Sequence, residues 1–85
     1  MLLLRRAILL QLEAAQPASV PPETLLDGLI LAGHPSLSRD KLTPELHYLR
    51  DKGLLHEQPA TLDPSKLRYR LTPAGRDYLA TEGLA

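Results

Sequence analysis

Residues 42–55 read LTPELHYLRDKGLL, residues 56–71 HEQPATLDPSKLRYRL, and residues 72–79 TPAGRDYL. Leu42, Leu46 and Leu49 recur at i, i+4 and i+7, the spacing of one helix face. That helix closes at Lys52-Gly53, where a cation meets the negative helix end and a glycine can take positive φ. Leu54 to Gln58 reads as a short strand and Pro59 to Lys66 as a loop, with Asp63-Pro64-Ser65-Lys66 suited to a type I turn. Leu67, Tyr69 and Leu71 alternate with Arg68 and Arg70, which gives the next strand one apolar and one cationic face. Thr72 caps a last helix and Pro73 starts it.

Upstream, the first helix covers about Leu2 to Ala15, and its apolar positions (Leu3, Leu4, Ala7, Ile8, Leu10, Leu12) nearly encircle the axis. Such a helix needs partners on more than one side, and a second subunit is one candidate. Prolines 17, 21 and 22 break it and leave room for a very short edge strand at Ala18 to Val20. Pro22 opens a second helix carrying Leu25, Leu26, Leu29 and Ile30, with Gly33 at its C-terminal end. Ser38 is the N-cap of the third helix, 38 to 52, but Pro44 falls inside it and removes the bond to the Asp40 carbonyl, at a cost of up to ~3 kcal/mol. The third helix is therefore expected to be irregular in its first two turns; the alternative makes Thr43 the cap and Pro44 the first helical residue. Glu82 to Ala85 are expected to fray.

The order helix, helix, helix, strand, loop, strand, helix is that of a helix-turn-helix unit running into a β-wing. The expected fold is α+β: a winged helix-turn-helix with a three-helix core, a two-stranded β-wing and a C-terminal helix, one domain over residues 1–85. Eighty-five residues is near the size where one core is only just sufficient. Leucine fills about a quarter of the chain, with no Phe and no Trp, which suits aliphatic helix packing. The absence of cysteine excludes a disulfide framework and a thiolate nucleophile and fits a cytoplasmic location. The leucine-rich start carries arginines inside its apolar run and Gln11 and Glu13 soon after, so no membrane anchor is expected.

Leu37-Ser38-Arg39-Asp40 opening the third helix, Leu49-Arg50-Asp51-Lys52-Gly53-Leu54-Leu55 closing it, and Leu71-Thr72-Pro73-Ala74-Gly75 entering the last resemble winged-helix regulators of the MarR, PadR and ArsR types. The resemblance covers roughly residues 20–80. The short length and leucine-rich start are also similar to small winged-helix proteins of Mu-like prophages. It implies that the third helix enters the major groove and the wing touches the backbone or minor groove of double-stranded DNA. Carried onto this chain, the family pattern assigns Ser38 and Arg39 to phosphate or base contact at the helix start; groove contacts are expected from Arg39, Lys41, Thr43, His47 and Arg50 of the helix and phosphate contacts from Lys66, Arg68 and Arg70 of the wing.

Charge is the counterweight. Net charge is zero, and a polyanion-binding domain usually carries a basic excess. Asp40, Glu45 and Asp51 would face or approach phosphates, so an ordinary solvated face of mixed charge competes with groove readout. The wing makes the better case, because Lys66, Arg68 and Arg70 lie on or beside one hairpin; its competing reading is arginine used for solubility and edge protection.

His34, His47 and His56 match no compact ligand spacing, so no metal or cofactor is expected. The carboxylates show no acid–base pairing and the glycines form no phosphate loop, so no enzyme is expected. The expected function is that of a small DNA-binding transcriptional regulator, a homodimer through its N-terminal helix, with two half-sites related by a two-fold. A winged-helix protein–protein interaction module is the alternative.

Overall fold

Ser38 and Gly53 bound the central helix of the molecule. The computed structural model describes residues 3–63 and 65–81, and its elements run α1 (Leu3–Ala15), α2 (Pro22–Leu31), α3 (Arg39–Asp51), β1 (Leu55–Pro59), β2 (Leu67–Leu71) and α4 (Pro73–Thr81). The Ser38 hydroxyl accepts the Lys41 amide at 3.4 Å and its carbonyl accepts the Leu42 amide at 2.9 Å. At the other end Gly53 takes φ +77°, which lets the Leu54 amide reach back to the Leu49 carbonyl at 3.0 Å and close the helix.

Pro44 lies inside α3 without breaking it. The carbonyl it leaves unpaired belongs to Asp40, an exposed residue where water can take the place of the missing amide. Thr43 does not cap the helix; its hydroxyl instead donates back to the Arg39 carbonyl at 2.9 Å, a bond typical of threonine within a helix.

The wing is an antiparallel hairpin with Leu55 opposite Leu71, His56 opposite Arg70, Glu57 opposite Tyr69 and Gln58 opposite Arg68. Within the expected Asp63–Lys66 turn, Pro64 lies outside the described residues; the Lys66 amide donates to the Asp63 carbonyl at 3.0 Å, and the Ser65 amide and hydroxyl both reach the Asp63 carboxylate. The short strand expected near Ala18 is a single bridge. Val20 exchanges both backbone hydrogen bonds with Tyr69, at 2.7 and 2.8 Å, which places β2 between β1 and the α1–α2 connection.

The core is built from Ile8, Leu9 and Leu12 of α1, Leu25 and Leu29 of α2, Leu42, Leu46 and Leu49 of α3, Leu79 of α4, and Leu55, Tyr69 and Leu71 of the hairpin. Each aliphatic side chain is essentially removed from water, so truncation to alanine costs about 2–5 kcal/mol. Helix α1 packs on α2, α4 and β2, so the partners its apolar circumference requires come largely from its own chain. Leu3, at 71% exposure, stays outside. Thr72 joins the two ends of the wing unit: its hydroxyl donates to the Gly53 carbonyl at 2.7 Å and accepts the Gly75 amide at 2.9 Å, capping α4. Gly75 is pressed against the Leu54 carbonyl so closely that a Cβ would fall 2.1 Å from that oxygen. The expected fraying of residues 82–85 concerns residues outside those described.

Candidate nucleic-acid interface

A groove of about 450 Å³ runs between the N-terminus of α2, one side of α3 and the wing. Arg39, Thr43 and His47 line it from α3, while Lys66 and Arg68 line it from the wing. Arg39, Thr43 and His47 recur at i, i+4 and i+8, which puts them on one stripe of the helix. Five of the residues singled out in the sequence thus meet across one depression, although the helix and the wing are separated by the whole of β1.

The other four lie elsewhere. Ser38 is used as the cap of α3, and Lys41 is exposed on the same first turn without lining the groove. Arg50 is held at the far end of α3, where its guanidinium donates to Asp51 at 3.1 Å and to Glu57 at 3.2 and 3.3 Å. Arg70 opens onto a different cleft, beside His56 and Arg76. The single cationic wing face expected from the sequence is therefore divided between two depressions. Arg68 is also a tie: its Nε donates to the Ser19 hydroxyl at 2.9 Å and a terminal nitrogen donates to the Ser19 carbonyl at 2.6 Å, clasping β2 to the α1–α2 connection.

The acidic residues of α3 are largely answered from within the chain. Arg5 of α1 donates to Glu45 and stands over the Tyr48 ring, 3.8 Å from its centroid. Arg50 pairs with Asp51. Among the described residues, Asp40 alone of the three has no ion-pair partner, so the repulsion toward a polyanion that the α3 sequence implies is reduced.

Two contributors to the groove escaped the sequence reading. Glu23, in the first turn of α2, accepts a hydrogen bond from Arg39 at 2.6 Å. Its own backbone amide, then Arg39, hold the carboxyl below its usual pKa. Tyr69 forms part of the groove floor; its hydroxyl donates to Glu57 at 2.9 Å, and burial, reinforced by that bond, pushes the phenol up to about 12. An acid in a first helical turn is an ordinary local signal, but nothing local connects Glu23 to a residue sixteen positions away.

Residues 28–81 match the model of the HxlR-like helix-turn-helix family, which is more than half of the chain. The chain belongs to that family. The likeness to MarR, PadR and ArsR types captured the winged-helix architecture; the matched family is the HxlR-like one. Among solved structures, the HxlR-like chain is similar to the transcriptional regulator BldR from Sulfolobus solfataricus, with a TM-score of 0.65 and 20% identity, over 89% of this chain and 50% of that one. At that identity the likeness carries the fold alone. The chain spans half the length of the BldR chain. No curated protein matches it.

Proposed function

We propose that the chain is a DNA-binding transcriptional regulator that sets α3 against a groove of double-stranded DNA and the wing on the phosphate backbone. The observation that carries this reading is the convergence of Arg39, Thr43, His47, Lys66 and Arg68 on one depression between α3 and the hairpin. Helix and wing would then contact one duplex together, as docking of this motif requires. Membership of a helix-turn-helix family supports it, as does the similarity to a chain titled a transcriptional regulator. Ser38 and Lys41 at the start of α3 extend the contact and Arg50 reaches its far end; Arg70 lines the other cleft, outside the groove. Binding of a mixed-sequence duplex at low salt, weakening progressively as salt is added, is the expected result; no binding at the lowest salt overturns the proposal.

The working unit we propose is a homodimer joined through α1, whose Leu3 is left in solvent at the outer end of an otherwise packed helix. Two copies related by a two-fold would read two half-sites. Selection from a random duplex library should return an inverted repeat, and sedimentation should give twice the chain mass; a monomer at high concentration contradicts the dimer. A cytoplasmic location agrees with the lack of cysteine and with the absence, among the described residues, of a helix long and apolar enough to cross a membrane.

A protein–protein interaction module remains the second reading, favoured by the zero net charge. It would leave duplex affinity undetectable while the fold stays intact.

A further inference from the structure

The hairpin has a second face. Side chains alternate along a strand, and Glu57 is turned toward α3, where Arg50 holds it. His56 and its cross-strand partner Arg70 therefore point the other way. There they meet Arg76, from the first turns of α4, along a cleft of about 630 Å³.

The cleft is lined by two arginines and no acid. Arg5, Arg39 and Arg50 are each paired with a carboxylate, and Arg68 is held by Ser19. Arg70 and Arg76 have no ion-pair partner among the described residues, and no Asp or Glu lines the cleft. The chain holds ten acidic and ten basic residues, so carboxylates were available for these arginines as well. Two guanidinium groups line this one cleft without a counter-anion, and an oxyanion bound there would be offered two planar donor forks. The remaining walls include Pro17, Leu71 and Pro73, which offer apolar surface beside the cations. The volume is that of a small-molecule site, and apolar walls with a few converging polar groups are the usual composition of one.

We propose that this cleft binds a small organic oxyanion, a carboxylate or a phosphate monoester on an apolar body, with Arg70 and Arg76 gripping the anionic group. The site lies beside the hairpin face that carries Arg70, and none of its lining residues lines the groove assigned to DNA. Backbone amide NMR of the full chain tests it, with phenyl phosphate, benzoate and inorganic phosphate as probes at constant ionic strength. Phenyl phosphate or benzoate should give saturable shifts confined to the amides around His56, Arg70, Thr72 and Arg76, at lower concentration than inorganic phosphate. The R70Q/R76Q double variant should bind at least about tenfold more weakly, with an unchanged melting temperature, since neither arginine holds another element.

Shifts that do not saturate, spread across the surface, or survive unchanged in R70Q/R76Q overturn the site. Equal affinity for phenyl phosphate and inorganic phosphate overturns the organic body. A DNA duplex that shifts these same amides and displaces phenyl phosphate makes the occupant a backbone phosphate and overturns the small-molecule assignment.

Discussion

Glu23, in the first turn of α2, and Arg39, the first residue of α3, are joined across the groove at 2.6 Å. Arg39 leads the stripe that faces the wing, and Glu23 is the one acid among the residues lining the groove. Lys66 also acts on this carboxylate, helping to hold its pKa down. The position a duplex phosphate would take between Arg39 and Lys66 thus already contains an anion attached to the protein.

Glu23→Gln should therefore strengthen duplex binding. In the wild type Arg39 must leave Glu23 to take a phosphate; the variant removes that competition, so affinity should rise while the slope of log affinity on log salt stays nearly the same. Fluorescence anisotropy with a labelled duplex at several salt concentrations reads both effects. Because both side chains are largely in water, the pair contributes little to folding and the variant should melt near the wild type.

Arg68 and Arg70 sit two residues apart and should behave differently. Arg68→Ala removes two hydrogen bonds that clasp β2 to Ser19, and should lower stability by about 1–2 kcal/mol in urea unfolding. Arg70→Ala breaks no such tie and should leave stability within about 0.5 kcal/mol of wild type. Equal losses in the two variants would contradict the structural role of Arg68.

Gly75→Ala should destabilise the junction of wing and α4. The added Cβ would meet the Leu54 carbonyl at 2.1 Å and a Leu71 methyl at 2.6 Å, so backbone must move, at about 1–3 kcal/mol. Calorimetry of the variant gives the number. Alanine normally stabilises a helix relative to glycine, so the sign itself is diagnostic.

Tyr69 should titrate apart from an ordinary tyrosine. The folded phenol keeps its proton to about 12, whereas an unfolded one loses it near ~10. The stability from this linkage is therefore fully present below about pH 10 and is lost as pH rises through about 12. Absorbance titration of the phenolates should show a late component that disappears in Tyr69→Phe.

What was legible in the sequence was local. The Ser38 cap, the Gly53 stop, the Thr72-Pro73 start and the alternation of Leu67, Tyr69 and Leu71 each depend on neighbours within a turn or a strand, and each stands as expected. The bounds of β1 moved by one residue, to Leu55–Pro59, because strand ends depend on the partner strand. Side-chain assignments over long sequence separations were not legible: Arg68 to Ser19, Arg5 to Glu45, Arg39 to Glu23. These pairings decide which cations are already engaged by the protein; Arg68 and Arg70 keep the common strand face that alternation gives them but line different depressions. The acidity of α3 is softened by Arg5, which only the tertiary fold brings to Glu45, and by Arg50 beside Asp51 in the same helix.

The central claim is that α3 and the wing grip one duplex through a shared groove. Its most direct test is the salt dependence of duplex binding for the wild type and for the Arg39→Ala/Lys66→Ala double variant. The account predicts wild-type binding at low salt, with log affinity falling linearly in log salt. In the variant the slope should be shallower by about 1.8, because helix and wing each give up one phosphate. No wild-type binding at the lowest salt, or a variant slope equal to that of the wild type, would contradict it.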